Sequence, residues 1–71
     1  MNFVIEPLAI GSLDGPRVYI LVRQVGRHKD IETMPDDVND DAAAIAFAKK
    51  RWRATDGEVV VKPVQVVEIE P

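Results

Sequence analysis

Seventy-one residues with 12 acidic and 9 basic side chains, net charge −3, describe one small acidic domain spanning residues 1–71. The absence of cysteine excludes a disulfide staple and a thiolate metal site. The acidic balance argues against a dedicated nucleic-acid binder, which normally carries a basic excess.

The segment FVIEPLAI, residues 3–10, reads as a strand. Proline lacks the donor that a ladder needs, so Pro7 places this strand at an edge or at a bulge. GSLDGP, 11–16, concentrates turn residues. RVYILVRQV, 17–25, is the clearest strand, rich in β-branched and aromatic residues. Val18, Ile20 and Val22 form one wholly apolar face. Arg17, Tyr19, Leu21 and Arg23 form the other, apolar only at its middle. The two strands make a β-hairpin with a loop of about six residues. Residues 26–35 are ambiguous, with DIETM able to form a short third strand.

PDDVNDDAAAIAFAKKRWRATDG, 35–57, reads as a helix. Ile45, Ala48 and Trp52 line up at helical spacing, with Lys49, Lys50 and Arg53 opposite. Gly57 offers the left-handed residue that ends a helix. EVVVKPVQVVEIE, 58–70, returns to strand, split or bulged at Lys62-Pro63. The expected fold is α+β, in the order β-β-(β)-α-β, with the helix packed on one face of an antiparallel or mixed sheet. Val18, Ile20, Val22, Ile45, Ala48 and Trp52 are the expected core anchors.

One helix covers one sheet face, which leaves the other apolar face for a partner. Tyr19 and Leu21, with the alternating valines Val60, Val64 and Val66, are the expected interface, and a homodimer is the expected assembly. The long C-terminal strand also offers an edge for strand addition.

Other chemistries fit less well. Asp37-x-Asn39-x-Asp41 opens like an EF-hand loop, but Ala42 and Ala48 stand where glycine and glutamate are required. One of the aspartates Asp36, Asp37, Asp40 and Asp41 is expected to cap the helix, the rest sitting near its positive end. KKRWR, at Lys49–Arg53, could meet phosphates and a base, which makes weak nucleic-acid binding a third reading. Trp52, however, falls on the core side. A single histidine (His28), a single serine (Ser12), and no HExxH or phosphate loop point away from an enzyme, a metal and a cofactor. The N-terminus lacks the basic region of a secretory signal, and no run approaches the roughly 18 apolar residues of a membrane span. A cytoplasmic protein is expected.

In compactness, acidity and lack of catalytic groups the chain is similar to small phage-borne accessory proteins, including some anti-CRISPR inhibitors. That likeness implies an alternative function, in which the acidic cluster mimics nucleic acid on another protein's basic surface.

Overall fold

A computed structural model describes residues 2–68. Two nine-residue strands, β1 (Asn2–Ile10) and β2 (Arg17–Val25), form an antiparallel hairpin. β3 (His28–Thr33) then turns back along β2. Helix α1 (Asp41–Trp52) follows, then a single 3-10 turn at Asp56–Glu58 and two three-residue strands, β4 (Val59–Val61) and β5 (Gln65–Val67). The last two run parallel to β1, so the sheet is mixed, in the order β3-β2-β1-β4, with β5 also on β1. This is the α+β architecture expected, with the third strand present. No helix among the described residues is long and apolar enough to cross a membrane.

β1 lies in the interior of the sheet, not at its edge, despite Pro7. The register explains how proline is tolerated there. Pro7 pairs with Tyr19, whose carbonyl accepts from Met34 N on the far side at 2.9 Å. A strand residue points its amide and carbonyl to the same side, so Pro7 turns its donorless nitrogen toward β4 and β5. The C-terminal chain is interrupted at that point. It pairs Val61 with Ile5 and Gln65 with Leu8, so three residues (62–64) stand opposite two (6 and 7). Pro7 and Pro63 thus share one bulge, and neither removes a hydrogen bond that the ladder would otherwise make.

The hairpin turn depends on glycine at two positions. Gly11 has φ +84, in the left-handed region. A Cβ at Gly15 would collide with the carbonyl oxygen of Ile10, a backbone atom with no rotamer to escape into.

Helix α1 is capped by Asp40, whose carboxylate accepts from Ala43 N at 2.7 Å. The helix ends earlier than the sequence suggests. Arg53, not Gly57, takes the left-handed conformation, at φ 54. The chain beyond is committed to the 3-10 turn, where the Glu58 carboxylate accepts from Thr55 N at 3.0 Å and from Thr55 Oγ1 at 2.9 Å. The Thr55 amide, followed by its hydroxyl, holds the Glu58 carboxyl below the usual glutamate range.

The core joins Phe3, Ile5, Tyr19 and Leu21 from the sheet to Ala44 and Ala48 from the helix. Met34, Val38 and Ala54 close its ends. The helix meets the sheet through two fully buried alanines. Small side chains let it lie close to the strands, while Ile45, Phe47 and Trp52 wrap its flanks half-buried.

The faces of β2 are exchanged relative to expectation. Tyr19 and Leu21, expected at an interface, are 1% and 0% exposed beneath the helix. Val18, Ile20 and Val22, expected in the helix-covered core, lie on the opposite side. The arginines that made the Tyr19 face look solvent-directed have partners of their own. Arg23 donates to Asp30 Oδ2 through Nη2 at 2.6 Å and through Nε at 3.2 Å, and its guanidinium lies 4.8 Å from the centre of the Trp52 ring. A guanidinium can roof the rim of a core when its plane stacks on an aromatic ring.

Candidate functional site

The side of the sheet away from α1 carries the even-numbered residues of β1 and β2. Val4, Leu8 and Ile10 lie beside Val22, Val18 and the hairpin turn, and Ile20 lies between Glu6 and Thr33. β3 adds Ile31 and β4 adds Val60, which are 64% and 48% exposed; β5 adds Val67, 41% exposed. An antiparallel sheet that meets water on one face normally alternates apolar with polar residues. Here the alternation fails, because both faces of the hairpin are apolar.

Only a few polar groups interrupt this surface. Glu6, near its centre, faces Lys62 Nζ at 3.6 Å, which leaves no net charge there. Gln24, Lys29, Thr33 and Gln65 fall at its margins by register. Val22 is 7% exposed although no helix covers it, because Val4 and Ile31 flank it on the neighbouring strands.

Of the expected interface residues, Val60 belongs to this face. Val66 shares register with Ala9 on the opposite side, and Val64 is half-buried in the bulge. The face could have been found in the sequence from Val4, Leu8 and Ile10. They alternate with Phe3, Ile5 and Ala9, and only one of the two sets can lie under a single helix.

The acidic cluster is partly consumed by structure. Asp40 is the cap, and Asp41 Oδ1 accepts from the buried Tyr19 hydroxyl at 2.9 Å, tying the helix start to the sheet. Burial raises the Tyr19 pKa above its ordinary value, with an Arg17 hydrogen bond opposing and the Asp41 contact adding to the rise. A raised folded-state pKa means that the folded hydroxyl keeps its proton longer than the unfolded one. Its contribution to stability is therefore complete below about pH 10 and is lost as pH rises further. Tyr19→Phe is expected to cost about 1 kcal/mol at neutral pH. It should also flatten the loss of stability above about pH 10, as read from urea midpoints. Asp36 and Asp37 are exposed, with no ion pair among the described residues.

The basic end of the helix is also engaged. Lys49 pairs with Asp56, and Arg51 Nε lies 3.4 Å from Glu32 Oε1. Trp52 is half-buried, its ring centre 5.7 Å from that of Phe3 and one side under Arg23. His28 opens β3, 77% exposed, with Nε2 3.0 Å from Asp30 Oδ1. The Asp30 carboxyl is held below the usual aspartate range, first by the Arg23 hydrogen bond and then by His28.

A shallow groove of about 740 Å³ runs between the 35–38 segment and α1, lined by Pro35, Val38, Ala43, Phe47, Lys50 and Arg51. Compared with protein-family models, with curated proteins and with solved structures, the chain matches none.

Proposed function

We propose that this is a non-enzymatic interaction protein that associates with a second copy of itself through the open sheet face. The observation that carries this reading is the apolar surface formed by Val4, Leu8, Ile10, Val18, Ile20 and Ile31 on the side away from the helix. Monomeric proteins rarely leave a contiguous apolar surface of more than a few hundred Å² open.

Area and charge favour a second copy as the occupant. Nine residues of β1 at about 3.3 Å each and four strands at about 4.8 Å spacing outline a face on the order of 500 Å² in projection. That is the scale of the roughly 800 Å² that each partner buries in a standard interface. Glu6 and Lys62 compensate each other at the centre of the face. The further charge that register places on it, Lys29, lies at its margin beside Gln24, so two copies meet without repulsion at the centre. Two such sheets packed about 10 Å apart would form a β-sandwich whose inner layer is aliphatic. A core sealed on the helix side by two alanines supplies little burial, so the second copy would also add stability.

Sedimentation velocity tests this reading. The expected result is a species of twice 7.9 kDa at micromolar concentration, dissociating on dilution. A strict monomer at high micromolar concentration would overturn it. The alternative, an acidic mimic acting on a basic protein surface, retains Asp36 and Asp37 as its free charges, Asp40 and Asp41 being engaged.

A further inference from the structure

We propose that the outer edge of β3 takes up an extended strand from a different protein, one with basic residues opposite Asp30 and Glu32 and an apolar residue opposite Ile31. The hydrogen-bond register defines this edge. Tyr19 directs its carbonyl to the β3 side, so the pairs Leu21–Glu32, Arg23–Asp30 and Val25–His28 carry the ladder between β2 and β3. The intervening residues, Lys29, Ile31 and Thr33, turn their amides and carbonyls outward, where β3 has no neighbour among the described residues. β3 is six residues long and has no proline, glycine or bulge. The opposite edge is a poorer template, because β4 and β5 are three residues each and break at Pro63.

A second copy of β3 is the wrong partner. Antiparallel pairing that keeps the two sheet faces aligned joins outward residues to outward residues. Ile31 opposite Ile31 sets Asp30 against Glu32. Ile31 opposite Lys29 sets Asp30 against Asp30, and Ile31 opposite Thr33 sets Glu32 against Glu32. Like charges directly across a ladder are destabilising. These charges guard the edge against self-association. They also select a strand of opposite pattern, since repulsion from one partner and attraction to another arise from the same side chains.

The side chains along this edge are placed for that partner. Asp30 and Glu32 have side chains 34% and 31% exposed, oriented by Arg23 and Arg51. Ile31, on the other face, is the most exposed of the large hydrophobic residues among those described, at 64%. An antiparallel strand running past Thr33 to Lys29 would thus read, from its N-terminus, polar, basic, β-branched, basic, acidic. Strand addition of this kind gains affinity from main-chain hydrogen bonds and specificity from alternate side chains. The edge adjoins the open face and shares the Lys29, Ile31 and Thr33 side chains with it. Its outward amides and carbonyls lie in the plane of the sheet, however, so the proposal stands whether or not the protein dimerises.

Fluorescence anisotropy tests it with two labelled peptides, one centred on Thr-Lys-Val-Arg-Glu and one on the charge-reversed Thr-Glu-Val-Asp-Lys. The first is expected to bind saturably and at least tenfold more tightly than the second. Ile31→Pro deletes one outward N–H and no ladder bond, and is expected to abolish binding while the circular dichroism is retained. Should that variant unfold, the two-peptide comparison on the unaltered protein decides alone. Affinities within twofold of each other, no saturation of either peptide at millimolar concentration, or a folded Ile31→Pro variant that binds normally would each overturn the proposal.

Discussion

Leu21→Asp is expected to leave the chain unfolded, whereas Ile20→Lys, one residue earlier, is expected to leave it folded and monomeric. Leu21 is 0% exposed between the helix and the sheet and sits directly across from Glu32. Truncation to alanine alone would cost about 2–5 kcal/mol. An aspartate adds an unpaired buried charge next to another carboxylate. Total stability at ordinary per-residue values is only about 4–11 kcal/mol for 71 residues, so little would remain. Ile20 points to the open face and pairs with Glu6, an acid that a lysine would meet favourably. The same lysine placed in a sheet-on-sheet interface would be desolvated, and dimerisation would fail. Circular dichroism with sedimentation velocity on the two variants reads both effects. A folded Leu21→Asp protein beside an unfolded Ile20→Lys protein would mean that the helix covers the other face.

Trp52→Ala is expected to destabilise the domain by about 3 kcal/mol, the lower end of the range for removing a large aromatic from a core. The ring is only half-buried, but it closes the end of the core where the last helical turn meets Phe3. It also carries the Arg23 guanidinium, a contact worth about 0.5–1 kcal/mol at a partly exposed site. Arg23→Met and Trp52→Ala should therefore be non-additive, with a coupling of that size in a double-mutant cycle followed by urea unfolding. Full additivity would reduce the stacking to mere proximity.

Much of this fold follows from local chemistry. The hairpin is legible because Gly11, Asp14, Gly15 and Pro16 interrupt two β-branched runs. The helix start is legible to within a cluster, since one of four aspartates ahead of an alanine-rich segment must cap it, and the structure selects Asp40. The break at Pro63 is legible because proline cannot serve a continuous ladder. The helix end was not, because Gly57 is the residue best suited to the left-handed conformation, yet Arg53 adopts it. The reason lies downstream, in a 3-10 turn held by Thr55 and Glu58, which must begin soon after Trp52.

The sequence by itself determined that two apolar strand faces would compete for one helix, and hence that one of them would stay open. Which one stays open was decided by tertiary structure alone. Both faces of β2 are apolar in the middle, so hydrophobic burial per unit area scarcely separates them. The choice falls to contacts between distant residues, the Tyr19 hydroxyl reaching Asp41 at 2.9 Å and Arg23 bridging Asp30 and the Trp52 ring. Val18, Ile20 and Val22 have no polar group with which to make such contacts. The face that looked more polar is the one able to satisfy its polar ends beneath a helix, and the purely aliphatic face is left outward.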